Sequence, residues 1–254
     1  MASAPRKKVP SKPILILAGA TDDLARALAQ RWAASGARLL LPRDLLHAGW
    51  QYRLGRANDS VTVVDGERFR ARELAGVLTR LTTIFPQELV EVVPEDRSYI
   101  AAEINAFLVA WLSALPIPVL NRATPTCLSG PNWRHEQWVH VAAKAGIPIT
   151  PARRSVPSSP YSASTPTSIS PVVITVIGKK CIGPPDSVLY AFARRLAIAS
   201  STELLSVHFS GRGRHATFLT ASTVPDVASG EIERAVLEHL TGGWRQRASR
   251  SETR

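Results

Sequence analysis

The chain has 254 residues, and 45% of them are hydrophobic, so it can bury a sizeable core in one large domain or two small ones. It contains no apolar run of about 18 residues, which argues against a membrane-spanning helix. Its two cysteines, Cys127 and Cys181, lie far apart and have no CxxC neighbour, which argues against a zinc knuckle and a disulfide framework. These features predict a cytoplasmic protein.

The net charge of +11 is concentrated at the two ends of the chain. Residues 1–12 carry four basic side chains and no acid, and residues 244–254 carry four arginines against one glutamate, so these segments hold +7 of the +11. We predict two disordered basic tails, residues 1–12 and 243–254, which attract phosphates or membranes only weakly. We therefore expect no specific nucleic-acid partner and no membrane partner.

The N-terminal part alternates between strand and helix. An apolar run at Ile14–Ala18 predicts a buried strand, residues 21–35 have apolar side chains at helical spacing, and Ala37–Leu41 predicts a second strand. Thr21 or Asp22 is suited to cap the helix. This β-α-β order is typical of the opening of a Rossmann-like sheet.

The turn after the first strand contains a single glycine, Gly19, and two aspartates follow it at Asp22 and Asp23. A dinucleotide-binding fingerprint requires G-x-G-x-x-G, and two aspartates would repel a pyrophosphate. We therefore favour a tight turn with a capping aspartate. A Rossmann-like nucleotide or small-molecule binder is kept as an alternative function.

Two further helices are predicted before residue 151. The clearer one spans residues 96–115, where apolar side chains recur on one face, and prolines end it before a strand at Val119–Leu120. Residues 132–145 predict the other, which ends at Gly146. Upstream of both, Val61–Val64 predicts a strand followed by a turn.

The composition changes beyond residue 151. Residues 152–171 are rich in serine and proline, so we predict a linker or exposed loop. The remaining predicted elements are two helices, at residues 186–200 and 230–240, and three strands, at Val172–Ile177, Leu204–Phe209 and Ala216–Leu219.

Three short motifs occur in order along the first half. They are the pattern GV-x-x-R that ends at Arg80, a strand that ends in Asn121-Arg122, and the segment Gly146–Pro151. Together they resemble the RimK-type ATP-grasp ligases, in particular the peptide-modifying branch related to graspetide (microviridin-like) enzymes. The resemblance implies an α/β protein, with a Rossmann-like (pre-ATP-grasp) parallel-sheet domain at residues 13–151 and a reduced ATP-grasp-like α+β lobe at residues 172–242.

The second lobe departs from this family where the chemistry is expected. ATP-grasp enzymes hold Mg²⁺ through carboxylate and amide oxygens, and those positions are occupied here by His208, Thr220 and Ser222. Neutral hydroxyls do not supply the negative charge that Mg²⁺ requires. The Ser/Pro segment also stands where the family has a nucleotide-binding subdomain. We expect no metal and no cofactor, and ATP with Mg²⁺ only if the chain is an active ligase.

The resemblance and its departures favour a degenerate, shortened ATP-grasp-like protein, a non-catalytic binding or regulatory partner in a peptide-modification or related pathway. An active ATP-dependent carboxylate–amine (peptide) ligase is the main alternative. We expect a protein or peptide partner, and a homodimer is left open. No catalytic residue is assigned.

Four residues are candidates for binding a ligand. Arg80, Asn121 and Arg122 follow the ends of parallel strands, and the fourth candidate is Lys179. The planar guanidinium of Arg122 is suited to a carboxylate or a phosphate. The alternative is that Asn121 and Arg122 only fix the corner between a strand and the next loop.

Overall fold

The computed structural model describes residues 12–150, 170–228 and 230–251, with side chains up to residue 242. The chain divides into two compact units, residues 1–129 together with 237–254, and residues 130–236. Residues 1–11 of the predicted tail 1–12, and residues 152–169 of the predicted linker 152–171, lie outside the described residues. The predicted domain boundaries at 151 and 171 therefore stay predictions.

A parallel sheet forms the centre of the first unit. It has the order β2-β1-β5-β6, made by strands Ile14–Leu17 (β1), Ala37–Leu40 (β2), Gly76–Thr79 (β5) and Val119–Leu120 (β6). Strands β1 and β5 are fully buried and almost wholly apolar, as parallel strands covered on both faces are. The predicted Rossmann-like parallel sheet is confirmed.

Helices α1 (Asp23–Arg31) and α2 (Arg97–Ala114) belong to the same unit. Helix α1 is shorter than predicted, because the chain tightens into a 3₁₀ turn at Ala33–Ser35 before Gly36 ends it in the left-handed conformation, with φ of 81°. Helix α2 buries one face of apolar side chains, as its periodicity predicts. The buried residues are Ala101, Ile104, Leu108, Trp111 and Leu112.

An antiparallel hairpin, β3 (Val61–Val64) and β4 (Glu67–Arg70), follows β2 in the chain. Its two turn residues, Asp65 and Gly66, both have positive φ, the geometry of the tight turns that match strand twist. Strand β4 was not predicted, because three of its four residues are charged and it is largely exposed.

One glycine in β5 is required by close packing. A Cβ added at Gly76 would lie 2.9 Å from Leu240 Cδ2 and 3.1 Å from the carbonyl oxygen of Leu240. Leu240 belongs to the last helix, α5 (Gly230–Ser251). The glycine of the GV-x-x-R pattern thus allows the helix backbone to approach the strand.

The second unit contains a four-stranded antiparallel sheet. Its strands are β7 (Val172–Ile177), β8 (Lys180–Ile182), β9 (Leu204–Phe209) and β10 (Phe218–Ser222). They lie in the order β10-β9-β7-β8. Helices α3 (His135–Lys144) and α4 (Ser187–Ala199) pack against one face of this sheet through its apolar side chains. Because side chains alternate along a strand, the polar residues of β9 and β10 lie on the other face.

Three elements in the second half differ from the sequence predictions. Strand β8 is an additional short edge strand, and β10 begins two residues later than predicted and reaches Ser222. Helix α5 continues to Ser251, so residues 243–251 have a helical backbone where the sequence predicted a disordered tail. That stretch contains no proline, and its arginine, glutamine and alanine residues favour helix. Across the described ranges, no helix is both long and apolar enough to span a membrane.

Candidate functional site

The first candidate site lies where β1 and β5 end, the position at which strand order reverses in this sheet. Open parallel sheets bind ligands at such crevices. Here the crevice contains an ion pair, because Arg80 Nε donates to Asp22 Oδ2 at 2.8 Å and Nη2 lies 3.4 Å from Asp22 Oδ1. The side chains of Arg80 and Asp22 are only 12% and 20% exposed. The guanidinium of Arg80 is therefore directed into the protein.

Asp22 has a second role at the same point. Its Oδ1 accepts a hydrogen bond from the backbone N–H of Ala25 at 2.9 Å, which makes Asp22 the N-cap of α1. The predicted tight turn with a capping aspartate is confirmed. One carboxylate thus holds both the helix terminus and the arginine at the end of β5.

A second carboxylate approaches the turn after β1. A Cβ added at Gly19 would lie 2.7 Å from Glu88 Oε1, and the other carboxylate oxygen of Glu88 accepts from Phe85 N. The space above Gly19, where a phosphate would need to sit, therefore faces a negative charge. This arrangement does not favour a nucleotide at this turn. The sequence signal for Glu88 was the capping pattern F-P-x-E, with proline at the first helical position and glutamate three residues after Phe85.

Arg122, another of the predicted ligand-binding residues, donates to backbone carbonyls. Its Nη1 lies 3.3, 3.2 and 3.1 Å from the oxygens of Leu112, Ser113 and Leu115, and its Nη2 lies 3.2 Å from Ile117 O. These carbonyls belong to the last turn of α2 and the residues that follow, where helix oxygens lack intrahelical partners. The contacts favour the alternative in which Arg122 fixes the corner after β6.

Asn121 is buried beside Arg122. Its side-chain amide lies 3.4 Å from Ser129 O, and its own carbonyl lies 2.8 Å from Thr79 Oγ1, which ties the end of β6 to the end of β5. The structure therefore brings Asn121 and Arg80 to neighbouring strand ends. Lys179 belongs to the second unit, where it is exposed in the turn between β7 and β8. As ligand-binding residues, all four stay predictions.

The second candidate site is the hairpin formed by β9 and β10. His208 lies directly opposite Thr220 in the antiparallel register, and Ser206 lies opposite Ser222. Because opposite residues and residues two apart share a face, all four side chains lie on the face that α3 and α4 leave uncovered. The three family positions for metal ligands thus lie on one face of adjacent strands.

The chemistry of this face does not fit Mg²⁺. No strand of this sheet contains an aspartate or a glutamate. Burial lowers the pKa of His208 below its usual value of 6.5, which favours the neutral imidazole. Ser222 Oγ accepts from Val224 N at 3.2 Å, and within the described part of the chain no cluster of three His, Cys, Asp or Glu residues is arranged to hold a metal. Mg²⁺ requires oxygen ligands with negative charge, which these residues do not provide.

An aspartate outside the strands fixes the hairpin tip. Asp186 Oδ2 accepts from Gly213 N at 2.7 Å, while Oδ1 accepts from the N–H groups of Val188 and Leu189 at the start of α4. These hydrogen bonds lower the pKa of the Asp186 carboxyl, the Gly213 bond most. Both carboxylate oxygens accept from backbone N–H groups, so Asp186 is an anchor for the turn. Sequence reasoning placed a helix start here but did not assign this second partner.

The fold of this chain is found in solved structures of other proteins. The chain is similar to the macrocyclase MdnC bound with precursor peptide MdnA from Microcystis aeruginosa MRC, with a TM-score of 0.62 and 10% identity over 90% of this chain and 99% of that chain. It is similar to a RiPP-associated ATP-grasp ligase from Chryseobacterium gregarium in complex with ADP and a leader and core peptide, with a TM-score of 0.61 and 9% identity over 91% and 97%. It is also similar to the ATP-grasp ligase PsnB complexed with a minimal precursor, with a TM-score of 0.62 and 11% identity over 90% and 98%.

No protein-family model matches the sequence, and no curated protein matches it. At these identities the structural likeness establishes the fold. The sequence motifs and the three structures agree on that fold, and the resemblance stated from the motifs is confirmed at this level. The chain therefore has the fold of the peptide-modifying ATP-grasp ligases.

Proposed function

We propose that this chain is a non-catalytic ATP-grasp-fold protein that binds a peptide or protein partner in a peptide-modification pathway. The observation that carries the proposal is the composition of the β9–β10 hairpin. From Leu204 to Ser222 the chain has two arginines, two histidines and no acidic residue, where the fold family needs oxygen ligands for Mg²⁺. Without those ligands, ATP phosphates have no metal to neutralise their charge.

The expected partner is a peptide or a peptide-bearing protein. This part of the proposal draws on the structural neighbours, three of which were solved with precursor or leader and core peptides. Peptide recognition relies on side chains and main-chain groups of the scaffold and does not itself require a metal. A chain of this fold can therefore keep peptide binding after the metal ligands are replaced.

Isothermal titration with Mg·ATP, combined with an ATP-hydrolysis assay, tests the proposal. We expect no saturable binding of Mg·ATP and no turnover above the buffer rate, with or without an acceptor peptide. Stoichiometric binding of Mg·ATP, or peptide-stimulated hydrolysis, would reject the proposal and support the active carboxylate–amine ligase instead.

A restoring variant tests the stated cause. His208→Asp combined with Thr220→Glu and Ser222→Asn returns two carboxylates and one amide to a single sheet face. We expect this variant to bind Mg²⁺ with a dissociation constant of about 10⁻⁴–10⁻³ M, the range of weak oxygen-ligand sites. A matched control carries the isosteric amides, His208→Asn with Thr220→Gln and Ser222→Asn, and should not bind. If the folded restoring variant binds no metal, the hairpin geometry differs from a ligand site, and the residue identities are not the cause.

A further inference from the structure

Within the described part of the chain, six large apolar side chains are strongly exposed, and four of them lie in one short stretch, residues 85–99. They are Phe85, Val90, Val93 and Tyr99, and the valines are 66% and 57% exposed. Single exposed apolar residues are normal on a protein surface, whereas several within one short segment indicate an interaction surface. We call this stretch the 85–99 segment.

The 85–99 segment is held in one conformation despite having little regular structure. Arg97 donates through Nε to Val92 O at 2.9 Å and through Nη2 to Val90 O at 3.1 Å. At its start, the Asn105 side chain bonds both the N–H and the carbonyl of Ile84, and the buried Leu89 anchors the middle. A loop fixed in this way presents its apolar side chains without the entropy loss of ordering the loop backbone on binding.

The segment is also acidic. It contains four acidic residues, and its single basic residue is Arg97, whose guanidinium faces the two backbone carbonyls. The whole chain has a net charge of +11, so this negative region contrasts with the rest of the protein. An apolar surface with acidic surroundings is complementary to a partner that carries apolar and basic side chains.

A cavity of about 500 Å³ lies next to the segment and includes Glu91 in its lining. Asp44 and Asp65 add two more carboxylates, while Arg43 and His47 are the cationic or titratable groups that face the same space. Asp44 is buried, and its Oδ2 accepts a hydrogen bond from Leu41 N at 2.8 Å. The distance from its Oδ1 to His47 Nδ1 is 4.0 Å, too long for a hydrogen bond. Burial and the nearby Asp65 raise the pKa of Asp44, which a cationic guest would counteract.

We infer that the 85–99 segment and the adjoining cavity form a docking surface for a basic, apolar peptide segment of a partner. The cavity receives a lysine or arginine side chain beside Asp44, Asp65 and Glu91, and Val90 and Val93 contact the apolar residues next to it. A second copy of this chain is disfavoured as the occupant, because a two-fold contact would bring the two acidic segments together. The inference names a partner class and does not depend on ATP or metal.

Fluorescence anisotropy with short labelled peptides tests the docking surface on the full-length chain. The probe combines leucines and arginines in a serine–glycine background. One matched peptide replaces arginine by glutamate, and another replaces leucine by serine. We expect the probe to bind and both matched peptides to bind at least about tenfold more weakly, since each lacks one of the two required chemistries.

Variants assign the binding to this surface. The double variant Val90→Ser/Val93→Ser should weaken probe binding by about tenfold or more. Both valines are exposed, so the substitutions leave no cavity in the core. The matched control is Leu54→Ser with Ile198→Ser, because these residues are 89% and 78% exposed and lie outside the segment. This control should change the affinity by less than about twofold.

Asp65→Asn with Glu91→Gln should weaken binding by about threefold to tenfold and reduce its dependence on salt. Asparagine tolerates the positive φ at position 65, so the turn is preserved.

Three outcomes would overturn the inference. They are an equal loss of affinity in the Leu54/Ile198 control, equal binding of the glutamate peptide, and no binding of the probe. A fourth is self-association of the chain in sedimentation experiments that is abolished in the Val90/Val93 variant, because the surface would then be an interface between two copies of the chain. Failure of the peptide-binding tests does not change the conclusion drawn from Mg·ATP binding. Failure of the Mg·ATP test likewise does not change the conclusion about the docking surface.

Discussion

The two units use polar side chains at their candidate sites in different ways. In the first unit these groups complete the fold, since Asp22 caps α1 and pairs with Arg80, and Arg122 binds carbonyls at the end of α2. In the second unit, His208 and Thr220 lie on a strand face, where the fold requires only a side chain that suits a half-exposed strand. The difference shows at which positions a side chain can be replaced without loss of the fold. A group that satisfies buried backbone is retained by stability, whereas a metal ligand on a strand face is retained only by its function.

The largest effect is expected from removing the arginine that joins α2 to β6. Arg122→Ala leaves four backbone carbonyls without their donor, so the free energy of unfolding should fall by about 3 kcal/mol in a urea titration. Arg53→Ala, at an exposed arginine of the same unit, is the control and should stay within about 0.5 kcal/mol. Equal behaviour of the two variants would contradict the assignment of Arg122 to the scaffold.

Removing the scaffold carboxylate Asp22 should have a smaller effect than removing Arg122. Asp22→Ala loses the N-cap of α1 and leaves the mostly buried Arg80 without its partner, for a loss of about 2 kcal/mol. Asp22→Asn keeps an acceptor for the cap and isolates the ion pair, so its loss should lie between zero and that value. The neighbouring Asp23→Ala is the control, because Asp23 is exposed and its pair with Arg26 is a surface contact. The idea fails if Asp23→Ala destabilises as much as Asp22→Ala.

Acid should weaken the second unit through Asp186. The pKa of this carboxyl is below its usual value of 3.8 in the folded protein, so its stabilisation is fully present above that value and is lost as the pH falls through the lower folded value. Asp186→Asn should lower the melting temperature at neutral pH, because an amide nitrogen cannot accept from Gly213 N. The difference between wild type and variant should shrink on going from pH 5 to more acidic solutions. A difference that does not depend on pH would show that the carboxyl charge is not the cause.

The smallest effect is expected at the metal-ligand positions themselves. Thr220 is exposed, so Thr220→Glu should change the free energy of unfolding by no more than about 0.5 kcal/mol. Destabilisation above about 1 kcal/mol would mean that the strand face is under structural constraint, and the contrast between the two units would disappear.

Much of the scaffold could be predicted because its elements carry strong local signals. The buried strand at β1, the long helix α2 and the capping Asp22 all follow from periodicity and cap chemistry that act over a few residues. The short strands β4 and β8 could not be predicted, because strands of three or four residues gain their pairing from a neighbour and carry too short a pattern of their own. The second partner of Asp186, on a turn 27 residues further along the chain, is a long-range contact with no local signature.

The sequence by itself determined the order of the ATP-grasp-like motifs and the absence of carboxylates from the hairpin, because both are properties of residue identity at fixed positions. Only the tertiary structure decided what Arg80 and Arg122 bind, because a guanidinium takes whichever acceptors the fold brings within reach. It also decided that the exposed apolar residues of the 85–99 segment lie beside an acidic cavity. Asp44 and Asp65 reach that cavity from 26 or more residues earlier in the chain than Glu91, and packing alone sets that proximity.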